Sequence, residues 1–600
     1  MKLVRIYANE KEIFPEIPFG PGLNVILAEV RVPEDGTKSD HNLGKTLLTR
    51  LLDFMLLKEV EGDFFMRKHQ ERFESFVFFL EILLPDGKTH ATIRRAAKGD
   101  TKIALKSHGQ LDDSAPLLAA EEEAWDHWNI PIGKAKDILN GWLAFDAFPG
   151  WDYRKGLSYF LRTQNDYRDV FRVEKFQRSA DIYWKPYMAD LLGLPGDMIL
   201  AKYESDRVAE GSQEAAKILR GNSGYTESDG DRLSAEISLS ESAIQRKALQ
   251  LQEFSFHDME MEVSDDLVKN VEAGLRESEQ KVYYAKRDLQ AAKDGLASPL
   301  EFNLSEIKST YDECALVLPD LLVKSYEELV EFNRKLASER NKYLKQRIKS
   351  LETALAKESE THKALSDQRQ RYLEVFKNQE SLQRFKTLQM ELVRSEESLG
   401  QLRQHLARVE EMAQLQEKAL LAQQESDRLT SEIKKRIHPP SARYRSIRER
   451  FQKIADEFLH VPAVLFVKQN ELGNLDFHVE VKQTSGTGEF SSEADGTTFK
   501  KLLCMAFDLA ILTEYAGNRF YHFIYHDGAL EGEDDRKKIA LLKLAQRLCG
   551  DFGIQYILSA IQHELPRNAD DTVHEFAPGE VVRNLHDDGD EGRLFRMPIF

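Results

Sequence analysis

Cysteine is scarce in this chain. Three residues, Cys314, Cys504 and Cys549, occur among 600. They form no paired spacing, which excludes a C-x-x-C zinc site and fits a reducing cytosol. A secretion signal is missing too: MKLVRIYANE has no apolar core, and no run of about 18 apolar residues follows anywhere. These absences predict a soluble, cytoplasmic protein with no membrane partner. Positive charge is in deficit, with 83 Lys and Arg against 101 Asp and Glu and a net charge of −18. No global field draws nucleic acid, so any contact with DNA needs a local patch. Proline thins to Pro299 and Pro319 between Met198 and Ile437. What is present is a hydrophobic content of 42% and an aromatic content of 10%, enough for a core, with 31% charged residues. That last figure points to a long solvated element.

The chain reads as α/β at both ends and helical between them. KLVRIYA and GLNVILAEV are strand-like runs around the turn residues PFGPG, and FVFFLEILLPDGKTHATIRRAA reads as two strands joined by Pro-Asp-Gly-Lys. From 198 to 437, Glu, Gln, Lys, Arg, Ala and Leu dominate. Leu392, Leu399, Leu402, Leu406 and Val409 recur at spacings of seven, three, four and three, and Leu344, Ile348, Leu351 and Leu355 extend the pattern upstream. This a/d seam predicts an antiparallel coiled coil that turns back near 299–320. After HPPSARY the α/β character returns, with strands AVLFVKQ, DFHVEVKQ, RFYHFIYHDG and IQYILSAI between helices. The expectation is a mixed-sheet head built from lobes 1–197 and 438–600, interrupted by an arm spanning 198–437.

SDHNLGKTLLTRLLDFML carries the first chemistry. Gly44, Lys45 and Thr46 open an amphipathic helix. A phosphate loop needs that arrangement: backbone N–H groups at a helix start, a lysine for the β- and γ-phosphates, and a hydroxyl for Mg²⁺. The usual first glycine is Ser39, and 21 residues separate Asn24 from Lys45, about eleven more than the usual layout. VRVPEDGTKSDH is expected to loop out.

FGPGLNVI followed by this loop, with a coil between two α/β halves, resembles the ATPase heads of the SMC, RecN and double-strand-break-repair ABC superfamily. The HNLGKT style is most similar to an uncharacterised bacterial branch of it. The resemblance covers essentially the whole chain, although its individual motifs are degenerate. It implies a bipartite ABC-type head that uses ATP and Mg²⁺, with Asn42, Gly44, Lys45 and Thr46 at the nucleotide. It sets Gln164, in SYFLRTQNDYRDVF, at the loop that touches the metal and senses the γ-phosphate. The signature segment would be FSSEADGTTFKK, with Ser491, Ser492, Glu493 and Gly496 capping the phosphate held by a second protomer. A homodimer with ATP sandwiched between heads follows from that geometry.

The acidic dyad, usually Asp-Glu-Pro after an apolar strand, falls on YHFIYHDGALEGEDDRKK. Two registers are open. In the slightly preferred one, Asp527 takes the general-base position and His526 replaces the metal-side acid, with Glu533 near the D-loop acid and Arg536 in the next helix. In the other, Asp527 is the metal-side acid and Gly528 leaves the base position empty. Either way one carboxylate serves, which implies slow hydrolysis. The switch histidine is replaced by Ile561, with His563 two residues on. Lys434, Lys435, Arg436, Arg443, Arg445, Arg448 and Arg450 lie where the coil re-enters the head. Resembling ATPases contact duplex DNA there, and an ordinary solvated helix face is the alternative reading. Asp587, Asp588 and Asp590 lack the ligand order of a calcium loop and read as an acidic turn. The resemblance implies anti-phage defence or genome maintenance with a separately encoded effector or nuclease. The alternatives are a non-hydrolysing nucleotide-gated scaffold and a transporter-type cassette.

Overall fold

A computed structural model describes residues 1–29, 31, 43–60, 62, 64–98, 101–109, 121–148, 150–252, 265–297, 326–374, 380–482, 490–491, 497–568 and 570–600. Two compact units are distinguished. Among the described residues, one comprises those within Met1–Glu204 and Ser426–Phe600, the other those within Ser205–Lys308 and Tyr326–Glu425. The expected turn near 299–320 lies outside the described residues.

The first unit is an α/β head. Strands β1 (Lys2–Ala8), β2 (Ile17–Pro18), β4 (Val77–Leu83), β5 (His90–Ala96), β6 (Lys102–His108) and β7 (His127–Pro131) form an antiparallel sheet in the order β2-β1-β4-β5-β6-β7. The Pro-Asp-Gly-Lys turn joins β4 to β5. The Asp86 carboxylate accepts from the backbone N–H groups of Lys88 and Thr89 at 3.0 and 2.9 Å, and Gly87 takes a φ of 71°.

The second sheet holds β3 (Leu23–Glu29), β8 (Leu161–Arg162), β12 (Phe523–His526), β13 (Gln555–Ile561) and β14 (Val581–His586), in the order β14-β3-β13-β12-β8. All its pairings are parallel. Strands from the start of the chain therefore alternate with strands from its end: β3 lies between β13 and β14, and β8 flanks β12. Parallel strands covered on both faces need apolar side chains pointing both ways. Every residue of β12 and β13 is buried, which is why FIYH and QYILSAI read as continuous runs. Gln555, buried where β13 begins, accepts from Leu3 N at 2.8 Å and donates to Leu3 O and Gly20 O. A third sheet, ordered β11-β10-β9, contains β9 (Ala463–Gln469), β10 (Leu475–Lys482) and β11 (Phe490–Ser491).

The second unit is helical. Arg369 pairs with Glu272, Lys281 with Glu358 and Lys293 with Glu352. Partner numbers fall as residue numbers rise, so helices Asp265–Ala297 and Tyr326–Glu374 run antiparallel. Leu289 and Ala292 meet Ile348, Leu351 and Leu355 in the seam between them. Further along, Leu233 packs with Leu402, Leu406, Val409 and Met412, and Leu251 packs with Phe385 and Leu392. Of the residues at a and d spacing, Leu351, Leu392, Leu399 and Val409 are buried, and Ile348, Leu355, Leu402 and Leu406 pack half-buried beside them. Among the described residues no helix is long and apolar enough to cross a membrane.

Candidate functional site

The helix Lys45–Met55 starts at Gly44, whose φ is 99°. Leu48, Leu51, Leu52 and Met55 form its buried stripe at i, i+3, i+4 and i+7. No acidic residue lies in its first turn, and the N-terminal end of a helix dipole favours negative charge. The chain end braces this turn. Leu594 N donates to Leu43 O at 3.0 Å, and a Cβ on Gly44 would stand 2.7 Å from Leu594 Cβ.

Asp527 leaves the C-terminal end of β12, facing that turn. Thr46 Oγ1 donates to its Oδ2 at 2.6 Å, and Ser559 Oγ, from β13, donates to its Oδ1 at 2.5 Å. Ser559 Oγ also accepts from Gly528 N at 2.8 Å. Burial pushes the Asp527 carboxyl above the ordinary aspartate range, against the opposing pull of these hydroxyls and of Lys45.

Gln164 comes from the other lobe. It begins a helical turn after β8, where Asp166 accepts from Thr163 N at 2.9 Å and from Thr163 Oγ1 at 2.8 Å. Gln164 Nε2 donates to Glu531 Oε2 at 2.7 Å, and Lys45 Nζ lies 3.4 Å from Glu531 Oε1. The head thus brings Lys45, Thr46, Gln164 and Asp527 together. It adds Glu531 and Ser559, which sequence reasoning missed. A polar residue in the otherwise apolar IQYILSAI was the available signal for Ser559. Beside these groups opens a cavity of about 700 Å³, lined in part by Thr46, Thr49, Arg50, Thr163, Gln164 and Arg168.

His526 does not join them. Alternation along β12 sends it to the opposite face, where Nε2 lies 3.2 Å from Asp508 Oδ2 and Nδ1 lies 3.0 Å from Tyr556 OH. The register slightly preferred from sequence, with His526 on the metal side, requires it beside Thr46. Asp527 stands there instead. Under this face, Arg162 forks onto Asp508 at 2.5 and 2.9 Å and donates to the carbonyls of Asp166, Asp169 and Val170. Burial works against the Arg162 charge, but Asp508 more than offsets it and raises the guanidinium above its ordinary value. This buried pair ties the Gln164 loop to helix Thr497–Glu514.

The remaining candidates scatter. Asn42, Ser492, Glu493 and Gly496 lie outside the described residues, and Ser491 ends the short strand β11. Glu533 is buried in an ion pair with Lys501 at 3.4 Å, and burial raises its carboxyl. Arg536 and His563 are exposed. In the basic cluster, Arg450 pairs with Glu514 at 2.8 Å, Arg443 stacks over Tyr515 and Arg448 over Tyr444. Lys434, Lys435, Arg436 and Arg445 are exposed. Asp587 accepts from Arg31 N at 2.6 Å, and Asp590 pairs with Arg593. Among the described residues no group of three or more His, Cys, Asp or Glu could hold a metal.

A family model described as an uncharacterised protein conserved in bacteria (DUF2326) matches residues 452–599. No curated protein matches the chain. A solved structure of the Smc head domain with a coiled coil and joint from Pyrococcus yayanosii is 14% identical over 93% of this chain and 92% of its own, with a TM-score of 0.31. The Pyrococcus furiosus Smc head domain, with an extended coiled coil bound to the C-terminal domain of ScpA, is 10% identical over 94% and 90%, with a TM-score of 0.29.

Proposed function

We propose that the head binds ATP with Mg²⁺ and hydrolyses it slowly, as an SMC-like ATPase whose lobes 1–197 and 438–600 flank a coiled-coil arm, 198–437. One observation carries this reading: Thr46, behind a lysine at a bare helix N-terminus, meets the Asp527 carboxylate at the end of a parallel strand. Phosphate-loop enzymes hold Mg²⁺ between such a hydroxyl and such a carboxylate. The donor set fits that metal, which takes hard oxygen ligands and is usually bound through one or two carboxylates with water and phosphate. Thr46, Asp527 and the Gln164 amide oxygen would supply the protein's share, and the ion would neutralise charge on the phosphates. Lys45 would bind the β- and γ-phosphates, and Gly44 would let the backbone approach them.

Signature residues Ser491, Ser492, Glu493 and Gly496 of a second copy would close each site, making ATP the glue of a homodimer. Head engagement would then act on duplex DNA along the basic cluster or gate an effector or nuclease, in anti-phage defence or genome maintenance. A second reading, a non-hydrolysing nucleotide-gated scaffold, is favoured by Gly528 standing where the second acid is usual. ATP turnover of the wild type, Lys45→Ala and Asp527→Asn separates the two. Loss of turnover in both variants is expected of the enzyme, and equal background rates in all three would leave the scaffold.

A further inference from the structure

Gly528 has no side chain, but the space a side chain would enter is filled. A Cβ built on it would lie 2.8 Å from Gln164 Nε2 and 2.9 Å from Glu531 Cδ, and its φ is 65°. The chain turns sharply here: Glu531 N donates back to Gly528 O at 3.3 Å, which carries the glutamate side chain over the glycine. Ala529 and Leu530 are fully buried and anchor the turn. Lys501, from helix Thr497–Glu514, donates to the Glu531 carbonyl oxygen and pairs with Glu533, fixing the turn from the other side. The Glu531 carboxylate is 22% exposed, so water can reach it, whereas the Lys45 side chain it faces is only 5% exposed.

We propose that Glu531 is the water-polarising carboxylate of this head, reaching from four residues downstream of Asp527 into the place of the acid that Gly528 lacks. The inference rests on the ATPase reading and resolves its weakest point, the missing second acid. Two acids then divide the work. Asp527, locked by two hydroxyls, would hold the metal, and Glu531, held by the softer partners Lys45 and Gln164, is free to turn. When nucleotide enters, its phosphates compete for the Lys45 ammonium and release Glu531 from it, while Gln164 keeps the carboxylate near the γ-phosphate. In the step itself a water oxygen bonds to the γ-phosphorus as the bond from that phosphorus to the β–γ bridging oxygen breaks. ADP leaves with the electron pair, and the proton lost by the water passes to Glu531 and then to the released phosphate. ATP and water thus become ADP and dihydrogen phosphate, and the carboxylate is regenerated.

The test compares the full-length wild type, Glu531→Gln, Glu531→Asp and Lys45→Ala, each checked for an unchanged thermal transition. ATP affinity, turnover and the identity of the bound nucleotide after incubation with Mg²⁺ are measured for each. Glu531→Gln should bind ATP at least as tightly as the wild type, because a competitor for Lys45 is gone. It should retain it as ATP and turn over about a hundredfold more slowly or worse. Glu531→Asp should keep part of the rate, and Lys45→Ala should lose binding. Turnover of Glu531→Gln at the wild-type rate, or loss of ATP binding by this variant with its fold intact, would overturn the role of Glu531 while leaving the nucleotide site standing. A wild type that binds ATP without cleaving it would do the same. A wild type that does not bind ATP would overturn the underlying reading itself.

Discussion

Thr46 donates its hydroxyl hydrogen to Asp527 Oδ2 at 2.6 Å across 481 residues of chain. The contact exists because β3 and β12 belong to one parallel sheet, so a turn near the start and a strand end near the finish open on the same edge. Ligands of open α/β sheets gather beyond the carboxyl ends of the strands, and this is where both residues lie.

The Asp527 charge is held at a cost to the nucleotide-free fold. Burial raises its folded-state value above that of the unfolded chain. Its contribution to stability is therefore full at pH below the unfolded value and is lost as pH rises through the folded one. Asp527→Asn removes this dependence. Without nucleotide or Mg²⁺, the thermal midpoint of the variant should gain on the wild type as pH rises from about 4 towards 7. Midpoints that stay a constant distance apart over that range would contradict it.

Arg162 and Asp508 are both fully buried. Removing one partner leaves the other charge stranded, so Arg162→Met should lose about 3–5 kcal/mol. Urea denaturation measures this. The same variant frees the carbonyls of Asp166, Asp169 and Val170, so proteolysis near Gln164 should quicken.

Gly44 is needed for its backbone and for its missing side chain. Gly44→Ala places a Cβ against Leu594 at a left-handed φ, costing about 1–2 kcal/mol from the backbone alone. Binding of ATP should weaken along with stability, and a variant as stable as the wild type would show the turn to be relaxed.

The basic cluster divides into two groups. Arg450 holds Glu514 at 2.8 Å, so Arg450→Glu should lower the thermal midpoint through like-charge repulsion. Exposed Lys434, Arg436 and Arg445 have the accessibility that phosphates require. If duplex DNA binds here, reversing these three should weaken it and lower its salt slope by about one per lost contact. Affinity indifferent to salt and to these changes would remove DNA from the account.

Much of this was legible in the sequence for specific reasons. QYILSAI and FIYH read as buried strands because both faces of their sheet are covered, and Leu392 to Val409 read as a seam because burial favours the a/d positions; that the sheet is parallel came only with the structure. Gly-Lys-Thr before an amphipathic run marked the start of helix Lys45–Met55. That Asp527 and not His526 meets Thr46 was not legible, since it depends on which face of β12 each side chain leaves. Glu531 was hidden for a related reason: only the turn through Gly528 brings it back to the space beside Gln164. Arg162 and Asp508, 346 residues apart, meet only once the two lobes share a core.

If the proposed site is real, both ends of the chain bind one triphosphate, and isothermal titration of the full-length protein with a non-hydrolysable ATP analogue and Mg²⁺ measures it. Saturable binding of one analogue per chain is predicted, abolished by Lys45→Ala near the start and stripped of its Mg²⁺ dependence by Asp527→Asn near the end. No binding by the wild type, or binding that ignores either substitution, would contradict it.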